Sequence, residues 1–178
     1  IPRDQRAHHR LSPEERMIGA LREQLMLRFI FSVPGMPCIY YGDEAGMEGC
    51  ADPFCRRPYP WGHEDAQMLA RYQAMTAMRN AHPVLRTGEC VYLAPCADVL
   101  GVIRKNESGR DAFGSQAENA CAVTLINRSA KEVVVYLTAE DVCGAKTLVT
   151  DDGQTLSARG GAFSVKVKGL QGMTGFAE

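Results

Sequence analysis

Asp52 and Arg56 are the residues whose types and spacing best suit a ligand rich in hydroxyl groups, such as a sugar. They lie in the segment Asp52-Pro53-Phe54-Cys55-Arg56-Arg57-Pro58, where a turn at Pro53 would bring the carboxylate and the guanidinium together. A carboxylate offers hydrogen-bond acceptors and a guanidinium offers a rigid fork of donors, so the pair can hold hydroxyl groups. An ion pair that only orders a surface loop fits the same residues equally well.

The adjacent carboxylates Asp43 and Glu44 are candidates for an acid/base pair, but their spacing argues against that role. Neighbouring residues on an extended strand point to opposite faces, so the two carboxylates cannot easily flank one bond. We therefore interpret them as structural groups that accept N–H groups of the following loop. Tyr59 and Trp61 are interpreted similarly, as aromatic anchors of that loop rather than platforms for a sugar ring.

The cysteines do not predict a cofactor or a bound metal. There are seven, and none belongs to a C-x-x-C pair. A zinc site at Cys50 and Cys55, or at Cys90 and Cys96, is an alternative, but metal sites usually have closer pairs and a complete ligand set. We interpret the cysteines as the reduced thiols of a cytoplasmic protein.

Two helices must position these residues. Ser12-Pro13-Glu14-Glu15 combines an N-cap serine, a proline at the first helical position and a capping-box glutamate. The apolar residues that follow at helical spacing define the predicted buried face: Met17, Ile18, Leu21, Leu25, Met26 and Phe29. A second helix is predicted from near Asp65 to His82, since proline at position 83 disfavours helix at the residue before it.

Between the two helices, the apolar run from Cys38 to Tyr41 predicts a buried strand. The loop from Gly42 to Gly62 is rich in glycine, proline and charge, which is typical of a functional connection. Beyond Pro83 the apolar residues alternate, which predicts short strands in an antiparallel sandwich or barrel. The strands are expected at residues 90–93, 99–104, 121–127, 133–138, 147–150 and 163–168. We therefore predict a domain boundary near Leu85, between residues 1–84 and residues 85–178.

Composition and charge narrow the class of protein. Hydrophobic residues make up 46% of the 178 residues and charged residues 23%, which is typical of a folded globular chain. A net charge of -1 with scattered Lys and Arg gives no basic surface for nucleic acid or anionic lipid. The sequence therefore predicts neither a nucleic-acid partner nor a membrane segment. Because the first residue is Ile1 and no signal peptide is visible, we expect that upstream sequence is missing.

Three segments together resemble the α-amylase family of glycoside hydrolases. The segment Gly35-Met36-Pro37-Cys38-Ile39-Tyr40-Tyr41-Gly42-Asp43-Glu44 is similar to the region of the family's eighth barrel strand. Gly46-Met47-Glu48-Gly49, followed by residues 52–58 and Trp61, resembles neopullulanase-, cyclomaltodextrinase- and α-glucosidase-type members. The resemblance implies an α/β plus all-β fold, in which the C-terminal part of a (β/α)8 TIM barrel precedes an antiparallel β-sandwich domain.

The resemblance also implies a function and a set of site residues. Members of this kind are retaining hydrolases of α-glucosidic bonds in maltooligosaccharides or related α-glucans. Asp52 and Arg56 match substrate-binding positions, and Tyr41, Gly42, Asp43 and Glu44 match a motif that shapes the active face. Phe54 departs from the polar residue often found inside the turn between Asp52 and Arg56.

No catalytic residue is assigned to this chain, because the family's catalytic carboxylates lie on earlier barrel strands. The resemblance therefore implies that the chain alone is inactive. Two alternatives stay open: a non-enzymatic carbohydrate-binding or interaction module, and a catalytically silent relative of the family. Since part of a barrel would expose apolar faces, self-association of this piece is also expected.

Overall fold

Helix α1 begins where the capping signal predicts it. The structure is a computed structural model that describes all residues, 1–178, and α1 spans Pro13–Ser32. The Ser12 hydroxyl accepts the Glu15 N–H at 3.2 Å, while the Glu15 carboxylate accepts the Ser12 N–H at 2.8 Å. These two bonds satisfy backbone donors that a helix start otherwise leaves unpaired.

The predicted buried face of α1 is wrong in most of its positions. Met17, Ile18 and Met26 are exposed, and of the six predicted residues only Leu25 is buried. The helix instead buries its other sides against the rest of the chain, through Leu27, Arg28, Phe31 and Ser32. The reason is that polar groups of the sheet pair with Arg28 and Ser32, so burial here follows hydrogen bonding as well as hydropathy.

Helix α2 spans Ala66–Ala81, which confirms the second predicted helix. The Asp65 carboxylate caps it by accepting the N–H groups of residues 67 and 68 at 3.0 Å each. Leu27 and Phe31 of α1 pack against Met68 and Tyr72 of α2 in a small apolar cluster. A four-residue helix, α3 at Val84–Thr87, then leads into the sheet region.

Eight strands follow, all paired antiparallel. They are β1 Glu89–Cys96, β2 Val99–Asn106, β3 Ala120–Asn127, β4 Val133–Thr138, β5 Thr147–Thr150, β6 Thr155–Ser157, β7 Ala162–Val167 and β8 Gly172–Ala177. Six of them form one sheet in the order β1-β2-β3-β8-β5-β6, and β4 pairs with β7 in a second sheet. The six predicted strands are confirmed, whereas β6 and β8 were not predicted.

The two sheets enclose the main core, and the helices cover the opposite face of the larger sheet. Cys121, Val123 and Leu125 of β3 point into the core, which also contains Val135 of β4 and Phe163 of β7. The alternate residues of β3 face the helices: Ala122 packs on α3, and Thr124 contacts α1. This central strand is therefore covered on both faces, as in a sandwich with an added helical layer.

The segment from Cys38 to Tyr41 is not a strand, contrary to the sequence prediction. It has no strand assignment and pairs with no other segment, and a run of turns begins at Tyr41. Its one backbone hydrogen bond is accepted by the Tyr40 carbonyl from Asp43 N–H at 3.2 Å. A strand exists only through its neighbours, and this chain places none beside the segment. It is neither helical nor part of the sandwich edge.

Three further observations concern the cysteines, the groups that could bind a metal, and the helices. All seven cysteines are free thiols, and no three His, Cys, Asp or Glu side chains converge in a way that would hold a metal ion. None of the helices combines the length and the apolar character needed to cross a membrane.

Candidate functional site

The site is built on the connection between α1 and α2. This connection contains a tight turn. In it, the Ala45 N–H and the Met47 N–H both donate to the Gly42 carbonyl, at 3.1 and 2.9 Å. Gly42 has a φ of 93°, and a Cβ there would lie 2.3 Å from the Met47 sulfur. Position 42 therefore requires glycine for both its backbone conformation and its space.

Asp43 and Glu44 lie within this turn and have different surroundings. The Glu44 carboxylate accepts the Gly42 N–H at 2.9 Å. Asp43 makes no side-chain hydrogen bond. Partial burial, and then the neighbouring negative charge of Glu44, raise the pKa of Asp43 above its ordinary value.

Asp52 and Arg56 meet in a short turn, as the sequence analysis expected for Pro53. The Arg56 Nε lies 2.9 Å from Asp52 Oδ1, and Nη2 lies 3.3 Å from Oδ2. The turn is closed by Phe54 N–H and Arg56 N–H, which donate to the carbonyls of Ala51 and Pro53 at 3.1 Å. The ion pair is bidentate. The side chains of Asp52 and Arg56 are 70% and 59% exposed, so both groups stay accessible to a ligand.

Tyr41 connects the two motifs. Its hydroxyl donates to the Arg57 carbonyl at 3.1 Å, directly after Arg56 in the chain. Burial and the nearby Glu44 carboxylate raise the pKa of the Tyr59 phenol. The aromatic ring of Tyr59 in turn contacts that of Trp61 with a centroid separation of 4.5 Å, and Trp61 is 80% exposed. Tyr41 and Glu44 thus lie near the loop that carries Asp52 and Arg56.

Two residues that the sequence interpretation did not single out hold this loop in place. Glu48 accepts the Leu11 N–H at 3.0 Å and forms an ion pair with Arg16 of α1. The Arg57 guanidinium donates to the carbonyls of Ala7 and His9 at 3.3 and 3.5 Å. No local sequence signal indicates these contacts, since each joins residues more than thirty positions apart.

A third such residue, Arg79 of α2, fixes the point where α1 ends. Its guanidinium donates to the carbonyls of Phe31, Val33 and Gly35 at 2.7, 3.3 and 2.6 Å. These carbonyls lie at and beyond the C-terminal end of α1, where helical partners run out. Arg79 therefore sets the direction in which the chain enters the site.

Comparison with known proteins finds relatives named amylopullulanase and cyclomaltodextrinase. No family model matches the chain. An amylopullulanase from Thermoanaerobacterium saccharolyticum is 33% identical over 144 residues, covering 79% of this chain and 11% of that protein. A cyclomaltodextrinase from a Bacillus species is 43% identical over 72 residues, covering 39% of this chain and 13% of that protein. This chain thus spans only a small part of the curated relatives that it matches.

A solved structure extends the comparison to the fold. The α-amylase of Geobacillus thermoleovorans, determined in complex with acarbose, matches with a TM-score of 0.76 and 19% identity. The match covers 89% of this chain and 33% of the other, so it takes in both the helices and the sandwich. The arrangement of the helical layer on the sheet is therefore shared with that enzyme.

Proposed function

This chain belongs to the α-amylase family of glycoside hydrolases, and we propose that it is the C-terminal part of an enzyme that hydrolyses α-glucosidic bonds in maltooligosaccharides or related α-glucans. The similarity to proteins named amylopullulanase and cyclomaltodextrinase supports this substrate class. The acarbose complex of the matching α-amylase supports it as well. We propose that residues 1–84 complete a catalytic barrel and that residues 85–178 form the C-terminal sandwich domain.

The two-pronged Asp52–Arg56 pair is the observation that carries the proposal, because its geometry suits a sugar. Two adjacent hydroxyl groups of a glucose ring can donate to the carboxylate while accepting from the guanidinium. The two contacts already hold the carboxylate and the guanidinium together, which lowers the entropy lost when a ligand binds. Exposure of the pair leaves the remaining lone pairs and N–H groups free to contact it.

The residues from Tyr41 to Glu44 act as support in this proposal. Glu44 and Gly42 stabilise the turn, and Tyr41 ties that turn to the Asp52–Arg56 loop. Bond cleavage with retention needs two carboxyl groups on either side of the glycosidic bond. We assign neither role to Asp43 or Glu44, and we propose that the longer protein supplies both carboxyl groups from its earlier barrel strands.

Hydrolysis assays on the complete gene product test this proposal. We expect it to release glucose or maltose from at least one of maltotriose, pullulan and cyclodextrins, and we expect the isolated chain of residues 1–178 to release neither sugar. Failure of the complete protein on all three substrates would contradict the proposed function. Activity of the isolated chain would contradict the placement of the catalytic carboxylates.

We also propose a cytoplasmic location. Its support is the presence of seven free cysteines without a disulfide, which is typical of a reducing compartment. Fractionation of the source cells with an antibody against the sandwich would check it. Recovery of the protein outside the cell would contradict this location without affecting the proposed activity.

A further inference from the structure

Trp61 has the most exposed aromatic ring in the chain, with 80% of the residue accessible to solvent. This exposure does not fit the anchoring role that the sequence suggested, because an anchor packs against the rest of the chain over most of its surface. Tyr59 is half-buried and fits that role better. The two rings contact each other at a centroid distance of 4.5 Å and an angle of 49°. Tyr59 therefore supports the indole ring, and most of the indole stays free to contact a ligand.

The backbone holds Trp61 in a tight turn. The Trp61 N–H donates to the Tyr59 carbonyl at 3.0 Å. The His63 N–H donates to the Pro60 carbonyl at 2.8 Å, which closes a four-residue turn with Trp61 as its second residue and Gly62 as its third. Gly62 has a φ of 76°, as the third residue of a type II turn requires. Because the backbone that carries the ring is already fixed, little conformational entropy is lost when a ligand binds there.

The segment that contains this turn is attached to the candidate site on both sides. Before the turn, the Tyr41 hydroxyl donates to the Arg57 carbonyl at 3.1 Å. After it, the Asp65 N–H donates to the Ala45 carbonyl at 3.0 Å. Trp61 lies midway between these two attachments. Four residues span at most about 14 Å, so the Cα of Trp61 lies within that distance of the Cα of Arg57, the residue that follows the Asp52–Arg56 pair.

An indole ring and the ion pair suit different parts of a sugar. The flat faces of a glucose ring carry C–H groups, whereas its hydroxyl groups point outward from the rim. The negative face of an aromatic ring attracts C–H groups, and contact removes apolar surface from water on both sides. Asp52 and Arg56 offer hydrogen bonds to the hydroxyl groups instead. The loop between α1 and α2 therefore presents both kinds of contact that an oligosaccharide can use.

We propose that the Trp61 ring stacks on a glucose unit of the bound α-glucan, other than the unit held by Asp52 and Arg56. This role rests on the proposed function, since the ligand is the substrate of that reaction. A stack on a second unit strengthens binding only when the substrate is long enough to place a unit there. Trp61 thus favours longer maltooligosaccharides over shorter ones.

Kinetics of the complete protein with two substrates test this role. Trp61→Ala should lower kcat/KM for maltohexaose by about twofold to tenfold, the effect of losing one aromatic stack, and should leave kcat/KM for maltotriose unchanged. Because the stacked unit lies away from the cleaved bond, its contact is the same before and during the reaction, and the loss should appear in KM rather than in kcat. Trp61→Phe keeps an aromatic ring and should retain most of the native value.

Phe113→Ala is the matched control. Phe113 is 79% exposed but lies in the connection between β2 and β3, so its replacement should alter the kinetics of neither substrate. All three variants should keep the native melting temperature, because both rings are mostly exposed.

Two sets of results would contradict these expectations in different ways. An unchanged kcat/KM for maltohexaose in Trp61→Ala, or an equal fall for both substrates, would overturn the role of Trp61 and leave the proposed function intact. Failure of the native protein to hydrolyse either substrate would contradict the proposed function, and the role of Trp61 with it.

Discussion

Arg104 shows how one side chain joins the helical layer to the sheet. It is 1% exposed, and its guanidinium makes five hydrogen bonds, all to backbone carbonyls and none to a carboxylate. The acceptors are Ser32 at the end of α1 and Leu85, Arg86 and Gly88 in and after α3. Arg104 thus satisfies carbonyls of two helix ends that would otherwise be buried without partners.

Replacing Arg104 should therefore destabilise the whole fold. We expect Arg104→Met to lower the free energy of unfolding by about 2 to 4 kcal/mol, because several buried carbonyls lose their donor. Urea denaturation measures this change. Arg128→Met is the matched control, since Arg128 is largely exposed and its ion pair with Asp98 spans 3.5 Å. A loss for Arg104→Met no larger than that of the control would contradict the assigned role.

The sequence predicted the positions of most helices and strands. It did not predict which polar residues are buried. Arg104 was predicted to end a strand, and the strand is correct, yet nothing in the pattern indicated a buried guanidinium. The contacts of Glu48, Arg57 and Arg79 were not predicted either, because their partners come from distant segments. By contrast, the contact of Asp52 with Arg56 was predictable, because a local turn is enough to make it.

At the scale of secondary-structure elements, strand β8 shows why the alternation of apolar residues did not predict every strand. Gly172 and Gly175 interrupt its apolar pattern, although β8 lies between β3 and β5 in the middle of the larger sheet. A Cβ at Gly172 would lie 2.7 Å from the Cδ of Arg28 and 2.8 Å from the Leu125 carbonyl. The close approach of α1 therefore requires glycine, and glycine removes the signal by which strands are recognised.

Contacts between α1 and the sheet depend on a buried polar network. Arg28 donates to Asp151 at 2.7 Å and to the Thr174 hydroxyl at 2.9 Å. The Ser32 hydroxyl lies 2.9 Å from that of Thr124, which in turn is 3.1 Å from that of Thr174. These polar groups therefore form part of the buried contact between α1 and the sheet.

The contact between α1 and α2 contains a carboxylate that should make stability depend on pH. The Tyr72 hydroxyl donates to Glu23 at 2.8 Å. Burial raises the pKa of Glu23 above its ordinary value of 4.5, and this outweighs the opposite effect of the Tyr72 hydrogen bond. The folded state therefore binds this proton more tightly than the unfolded chain. The stability linked to Glu23 is fully present below pH 4.5 and is lost as the pH rises through the folded pKa.

The variant Glu23→Gln tests whether this contribution to stability falls as the pH rises. The variant cannot ionise, so we expect its stability relative to the native chain to be higher near pH 7 than near pH 4. Urea denaturation of both chains at the two pH values gives the difference. An unchanged difference, or a relative loss of stability at the higher pH, would contradict the assignment.

At the scale of the whole molecule, several large apolar side chains are left exposed. Met17 and Met26 on α1 are 61% and 59% exposed, and Met36 in the following segment is 92% exposed. Apolar side chains of this size normally pack against other atoms. The segment from Cys38 to Tyr41 is also unpaired, so its strand prediction was wrong for this chain, while the overall fold class is confirmed.

These exposed apolar side chains predict self-association of the isolated chain. We expect size-exclusion chromatography with light scattering to show dimers or larger species whose share rises with protein concentration. Met17→Lys combined with Met26→Lys should shift the chain toward monomer. Tyr136→Lys, which changes an exposed ring on the sandwich, should not. A monomer at every concentration would contradict the expectation.

We propose that Asp52 and Arg56 bind the sugar. The most direct measurement compares kcat/KM for maltotriose between the complete protein and its Arg56→Ala variant, with Arg128→Ala as the control for loss of an exposed ion pair. We expect a fall of about tenfold to a hundredfold for Arg56→Ala, as expected for a lost charged hydrogen bond to a ligand. We also expect an unchanged melting temperature. An unchanged kcat/KM, or a loss of activity that only follows a loss of thermal stability, would contradict the claim.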